Sequence, residues 1–344
     1  MDRVLNCQNY RRFGVEIELN TLDGHIRKLD RHNGEIPLGS DNIALIIKNT
    51  INKNVEIQGW DHNFNNDNWI VKPDSSCGIE VCSPVLKGWS GLIELIKVIE
   101  KFKERGIKAD QRCSLHVHIN ISDLNLQQLA SVIAWYIKCE HIFMESVPSC
   151  RKINRYCQML GMTDLFQVES PIVPEHLLNS ISNVKYYSLN AYHFVKGGSF
   201  SPHNNRKKTI EFRIGENAMC LDGLAVKNWI RLLLHFVEVT KSRPLPYEYK
   251  KGDSWSGLLW LDVVDVFKVL NFDEPCSEGL NQVKNWFIER LLQNGHDTGL
   301  TGVWSNEARS IVRKDINTIV KNIDNNKHDM ETMETRLYGK KYIK

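Results

Sequence analysis

Three short stretches alternate so strictly that they constrain the fold more than anything else in the chain. Arg12-Phe13-Gly14-Val15-Glu16-Ile17-Glu18-Leu19, Ser114-Leu115-His116-Val117-His118-Ile119 and Thr209-Ile210-Glu211-Phe212-Arg213-Ile214 carry Val, Ile, Leu or Phe at every second position. A period of two puts those side chains on one face of a β-strand and the residues between them on the other. Glu16, Glu18, His116, His118, Glu211 and Arg213 are therefore expected to point away from the core toward a shared surface. Carboxylates, imidazoles and a guanidinium gathered on one sheet face suit a divalent metal together with a phosphate.

Further strands are predicted over residues 55–60, 69–73, 78–83 and 184–195, and the three stretches extend to 12–19, 114–120 and 208–215. Helical patterns lie between them. Ser40 or Asp41 is expected to cap a helix through Ile51, and Ser90 one that carries Leu92, Leu95, Ile96, Ile99 and Phe102 and stops at Gly106. Ser122 or Asp123 is expected to cap a longer helix to about Val147, and Leu224 to Val239 forms another. Helices with one apolar stripe need a partner, and the apolar strand faces supply it. The expected class is α+β: a curved, mainly antiparallel sheet with a polar concave face and helices packed on its other face. Beyond Pro244 no strand pattern remains, and residues 256–272, 279–294, 305–325 and 328–337 read as helices. The chain is thus expected to divide into residues 1–243 and a helical C-terminal subdomain, 244–344.

With 344 residues a sizeable core is available. The formal net charge is +3, from 44 Lys and Arg against 41 Asp and Glu, which gives no argument for nucleic acid or an anionic membrane as partner. The nine cysteines are odd in number and form no CxxC pair, so neither a disulfide framework nor a zinc knuckle is indicated. The start of the sequence lacks a signal-peptide core, and no apolar run approaches the ~20 residues that span a bilayer. A soluble protein of the reducing cytoplasm is expected.

The polar positions have specific chemistry. Glu16 and Glu18 stand roughly 6–7 Å apart along a strand and repel when ionised, a cost that a hard divalent cation removes. His116 and His118 share that geometry and can hold a metal or contact phosphate. Arg213 offers a planar fork for phosphate or carboxylate. Residues 69–84 resemble a hairpin with its turn through Asp74-Ser75-Ser76-Cys77-Gly78, and Glu80 alternates with Ile79 and Val81 toward the same face. Taken singly, each pair also fits a solvated strand, a hydrogen-bonded histidine pair or a local ion pair, and Asp74 also fits a plain turn residue. Metal and phosphate chemistry accounts for all of them at once, with Mg²⁺ or Mn²⁺ favoured over zinc by the carboxylates.

The order Phe-Gly-Val-Glu-Ile-Glu-Leu, Asp74-Ser75, Glu80-Val-Cys-Ser-Pro84, Leu115-His-Val-His118, Arg151-x-x-Asn154-x-Tyr156 and Thr209-Ile-Glu-Phe-Arg213 resembles the amidoligase family. That family is similar to the glutamine synthetase and glutamate–cysteine ligase superfamily of carboxylate–amine ligases. The resemblance covers about residues 10–240. It implies ATP and Mg²⁺ (or Mn²⁺) as cofactors. Glu16, Glu18, Glu80, His116 and Glu211 inherit the role of metal ligands. His118 inherits a nucleotide-phosphate contact, and Arg213 a clamp on the γ-phosphate or acyl phosphate. Arg151, Asn154 and Tyr156 are implied in nucleotide or substrate binding. Ser114 departs from the glycine that often precedes this Leu-His pair. The reaction implied is the joining of a carboxylate donor to an amine acceptor, on a small molecule, a peptide or a protein, with Asp74 as proton acceptor. The rival readings are a guanidino-kinase-like phosphotransferase, a metal-dependent hydrolase built on His116 and His118, and a non-catalytic binding protein on the same fold.

Overall fold

The structure, a computed structural model, describes residues 11–20, 39–60, 67–152, 154–160, 174–181, 186–191, 208–245, 263–272 and 277–294. At its centre runs β1 (Arg12–Asn20), paired antiparallel with β4 (Gly78–Cys82) on one side and β6 (Leu115–Asn120) on the other. The remaining strands are β2 (Val55–Ile57), β3 (Trp69–Asp74), β5 (Leu86–Lys87), β7 (Leu189–Asn190) and β8 (Thr209–Gly215). Their order across the sheet is β2-β3-β4-β1-β6-β8-β7, with β5 paired to the start of β1. Only β2 and β3 run parallel among these described pairs. The expected α+β class with a mainly antiparallel sheet is what forms.

The period of two behaves as chemistry demands. Phe13, Val15, Ile17 and Leu19 of β1, Leu115, Val117 and Ile119 of β6, and Ile210, Phe212 and Ile214 of β8 enter one apolar core. The helices that cover it are α1 (Ser40–Ile51), α2 (Gly88–Glu104), α3 (Leu126–Glu145), α4 (Ser149–Lys152), α5 (Pro174–Ile181), α6 (Gly223–Thr240), α7 (Val263–Val269) and α8 (Glu278–Asn294). α1 packs on α2, α2 on α6, and α6 on both α3 and α8. Val266, Phe267, Phe287 and Leu291 of α7 and α8 join the same core as the sheet.

Helix starts differ from the expected caps. α1 begins after Gly39, which sits at φ 95°, and Ser40 lies inside the helix without capping it. α2 begins at Gly88 after Lys87, so Ser90 falls in the first turn, where its hydroxyl reaches back to the Lys87 carbonyl at 3.4 Å. α3 is capped by Asn125 rather than Ser122 or Asp123; Asn125 and Gln128 exchange hydrogen bonds in a capping box. Asp123 is instead taken by the buried Arg11, at 2.8 and 2.7 Å from its two carboxylate oxygens. The stop at Gly106 occurs as expected, with positive φ and the Ile107 amide returned to the Phe102 carbonyl. The helices predicted over 305–325 and 328–337, and half of the 184–195 strand, lie outside the described residues. No helix among the described residues is long and apolar enough to cross a membrane.

Candidate functional site

Strand register carries the polar residues into one diagonal band. Lys72 of β3 stands opposite Glu80 of β4, and Glu80 opposite Glu18 of β1. Glu16 faces His116 of β6, and His118 faces Glu211 of β8, which in turn faces Asn190 of β7. Residues paired in register project to the same side of a sheet, so the band follows from backbone pairing alone. One irregularity interrupts the β6–β8 pairing beyond Glu211. The β6–β8 register shifts between Leu115 and Val117, where Leu115 meets Gly215. A Cβ at 215 would overlap the Leu115 carbonyl, so this approach requires glycine.

The side chains meet. His116 Nδ1 lies 3.3 Å from both Glu16 Oε2 and Glu211 Oε1, and its Nε2 is 3.7 Å from Glu18 Oε1. His118 Nε2 lies 3.1 Å from Glu16 Oε1, but not in hydrogen-bonding alignment, so this buried nitrogen has no hydrogen-bond partner among the described residues. Arg213 pairs with Glu211, its Nε donates to the Tyr156 carbonyl at 3.1 Å, and its backbone amide donates to the Ser188 carbonyl at 2.8 Å. Lys72 Nζ reaches Glu80 Oε1 at 2.8 Å. Every one of Glu18, Glu80, His116, His118 and Glu211 is buried.

The electrostatics differ along the band. Burial, then the charges of Asp74 and Glu80, push the Glu18 carboxyl up to about 8 even though Ser114 donates to it. Burial and Glu16 likewise raise Glu80 in spite of Lys72. Burial would raise Glu211 too, but the Arg213 guanidinium, followed by His118, holds it below the ordinary carboxylate range. His116 is driven toward the neutral imidazole by burial and by Arg213, against the pull of Glu16 and Glu211. Acids outnumber compensating cations at the Glu18–Glu80 end, which is the condition a bound cation relieves.

The donor set fits a metal on these grounds. Ligand atoms of Glu16, His118 and Glu211 lie within 4.8 Å of one another, as do those of Glu16, Glu80 and Cys82, and those of Glu18, Asp74 and Cys77. The Nε2 of His118, 3.1 Å from Glu16 Oε1, belongs to the first of these sets.

Asp74 forms the hairpin turn expected of it. Its Oδ1 accepts from the Ser76 hydroxyl, the Ser76 amide at 2.6 Å and the Cys77 amide at 3.2 Å, and these bonds lower its pKa against the effect of burial. A carboxylate held low is a weaker proton acceptor, although Asp74 does lie beside Glu18. Arg151 is 2% exposed and donates to the Arg213 carbonyl, supporting the strand from beneath. Asn154 spends its Oδ1 on the Tyr156 amide at 2.8 Å, and Tyr156 stacks edge-on to Tyr186. Arg151 and Tyr156 both contact Arg213, and Asn154 braces Tyr156.

Sequence reasoning passed over Cys82 and Asn190. Cys82 Sγ lies 3.0 Å from Glu80 Oε1, and Asn190 Nδ2 donates to Glu211 Oε2 at 2.7 Å. Cys82 was readable by parity, two positions after Glu80 on the same face. Asn190 had no such signal, because its strand is two residues long. Ser114 proves to be a connector: its hydroxyl donates to Glu18 Oε2 at 2.6 Å and lies 2.8 Å from His116 Nε2.

A family model described as "Putative amidoligase enzyme" matches residues 9–237. No curated protein matches the sequence. Among solved structures, the chain is similar to one described as the crystal structure of a novel glutamine synthase homolog. The identity is 13%, covering 89% of this chain and 72% of that one, with a TM-score of 0.40. Since the family model spans more than half of the sequence, the chain belongs to the amidoligase family.

Proposed function

We propose that the protein is an ATP-dependent carboxylate–amine ligase that forms an amide or isopeptide bond through an acyl phosphate. Family membership supports the ligase class, and one observation carries the finer reading. Glu16, His116, His118, Glu211 and Arg213, from three strands far apart in sequence, are in mutual contact on one sheet face.

A carboxylate resists attack by an amine because it is a poor electrophile and oxide a poor leaving group. Phosphorylation by ATP supplies the leaving group, and Mg²⁺ or Mn²⁺ would neutralise phosphate charge during that transfer. Glu16, Glu18, Glu80, His116 and Glu211 are the residues that would hold the metal, with His118 toward the nucleotide phosphates or, through its Nε2, the metal itself. Arg213 is held by Glu211, Tyr156 and Ser188, so its guanidinium is oriented before substrate arrives. That arrangement suits stabilisation of charge developing on a transferred phosphoryl group. Proton removal from the amine falls to Asp74, which lies beside Glu18 and whose pKa is held low by its turn hydrogen bonds. The acceptor is an amine on a small molecule, a peptide or a protein.

The test is ADP release in Mg²⁺ buffer with a panel of carboxylates and amines. Turnover that needs both substrates is expected. ADP formed without any amine points to a phosphotransferase, and turnover without ATP to a hydrolase. The double substitution Glu16→Ala, Glu18→Ala should abolish turnover while circular dichroism stays native. Residual turnover at the wild-type rate sinks the assignment.

A further inference from the structure

We propose that the carboxylate donor of this reaction is an acidic peptide, and that Arg12 and Lys87 hold a second carboxylate of it, about four residues from the one that reacts. The inference rests on the ligase reading above. It adds a substrate class and the residues that select it.

Two cations mark the place. Lys87 of β5 stands directly opposite Arg12 of β1, while their neighbours Leu86 and Phe13 form the pair that turns into the core. Arg12 and Lys87 therefore project from the face that carries Glu16 and Glu18. Like charges paired across two strands repel, and a bound anion removes that cost. Both residues are exposed, and neither side chain has an ion-pair or hydrogen-bond partner among the described residues. They line a cavity of about 610 Å³, within the usual range for a ligand site. The other charges of its lining are Lys53, Asp67 and Glu94, so three cations face two acids. Glu94 is already answered, by Lys53 at 2.6 Å and by the Trp69 indole N–H at 3.0 Å.

A second observation lies between this cavity and the metal band. Gly14 separates Arg12 from Glu16 on the same face of β1. Its φ is not positive, and a Cβ there would meet only the Ser83 hydroxyl oxygen at 3.7 Å and the Pro84 carbonyl at 3.9 Å, ordinary contacts. Neither backbone geometry nor packing asks for glycine here, whereas a ligand lying against the strand does. Burial deepens along the same line, from exposed Arg12 through half-buried Gly14 and Glu16 to buried Glu18. The cations thus stand at the open end of the face and the crowded acids at its closed end. The step from Arg12 to Glu16 spans ~13 Å along the strand. An extended peptide covers ~3.3–3.6 Å per residue, so about four residues bridge it and a free amino acid does not. The competing explanation is that the two cations serve the phosphates of ATP, since Gly14 also stands opposite His118.

Peptide length and terminal charge separate the two. The probes are acetylated peptides of one glutamate followed by up to about five alanines, each made with a free C-terminal carboxylate and as the C-terminal amide. Calorimetric titration into the full-length protein in Mg²⁺ buffer, without ATP, reads binding alone. Affinity in the free-acid series is expected to rise to a maximum near three alanines, the length that spans the gap, with the matching amide roughly tenfold weaker. The double substitution Arg12→Gln, Lys87→Gln should erase the difference between acid and amide and leave ATP affinity unchanged. Binding that ignores length or terminal charge overturns the proposal. So does a variant that loses ATP as strongly as peptide, which would assign the cations to the nucleotide. The acid–amide comparison in wild type covers the case of a variant that does not fold. ADP release with the best peptide, with hydroxylamine as the amine, tests the ligase reading separately. Length- and charge-dependent binding without ADP release would sink that reading and leave the peptide site standing. ADP release with small carboxylates and no preference for the peptide would sink the peptide and leave the ligase.

Discussion

Glu140 and Glu18 are both buried carboxylates, yet their surroundings differ. Glu140, on α3, accepts from the Leu160 amide at 2.7 Å and from the Ser188 hydroxyl, which also receives the Tyr136 hydroxyl at 3.0 Å. Glu18, on β1, sits beside Asp74 and Glu80 with the Ser114 hydroxyl as donor, and its carboxyl is pushed to about 8. The first carboxylate is answered by an amide and a hydroxyl donor. The second gathers like charge, a condition that a bound cation would relieve. A scaffold saturates its hydrogen bonds because an unsatisfied buried group costs stability, while a binding site accepts that cost in exchange for affinity. The two regions touch: the Ser188 carbonyl that receives the Arg213 amide belongs to the residue whose hydroxyl Glu140 holds.

The strongest way to break the contrast is at Arg213. If the band is a reaction site, Arg213→Ala should lower turnover on the order of 10²–10³-fold, well beyond its effect on ATP affinity, since the lost contact is one that strengthens in the transition state. Steady-state ADP release set against nucleotide binding measures both. Equal losses would make the arginine a ground-state contact.

Stability then separates Glu140 from Glu18. Glu140→Ala leaves the Leu160 amide and the Ser188 hydroxyl without their buried acceptor, and about 3 kcal/mol of folding stability should be lost. In chelator-treated protein, Glu18→Gln keeps an acceptor for Ser114 and removes one of three crowded acids. Its cost should be below about 1 kcal/mol, or of the opposite sign. Denaturant midpoints at constant m-value decide. A loss at Glu18 matching that at Glu140 would place both residues in the scaffold.

The sequence made this contrast legible on one side only. β1, β6 and β8 alternate so regularly that a single apolar face fixes every polar neighbour, and the band could be drawn before the fold was known. Glu140, Lys138 and Glu145 carry no comparable signal. As charged residues on a helix they read as solvated positions, but α3 is covered by α5, α6, α7, α8 and the sheet, and all three are buried. Burial of that kind depends on which elements pack around a helix, and no local pattern encodes it. Helix starts were misread for a related reason. Ser40, Ser90 and Asp123 are competent caps by type, but the chain entry at Gly39, the β5 pairing of Lys87 and the capture of Asp123 by Arg11 decided otherwise. Strand register, in contrast, follows from a repeat that tertiary packing reinforces.

The smallest expected effect tests whether acid sensitivity belongs to the scaffold or to the band. His235 of α6 donates through Nε2 to the Leu270 carbonyl at 2.7 Å, and its ring stacks on Phe272. Burial lowers its pKa from the ordinary 6.5, only partly offset by that carbonyl and by Glu238. With the folded-state value depressed, the unfolded chain takes up the proton first as pH falls. Stability from neutral His235 is therefore complete above about 6.5 and declines as pH drops toward the folded-state value, by at most about 1.4 kcal/mol per pH unit. His235→Gln retains a donor for Leu270 and cannot take up that proton. Comparing denaturant midpoints near pH 7.5 and pH 5.5, the variant should lose less stability on acidification than wild type, by about 1 kcal/mol. An unchanged acid slope would move the sensitivity to the carboxylates and histidines of the sheet face. The crowded band, and not the saturated scaffold, would then set the lower pH limit of the fold.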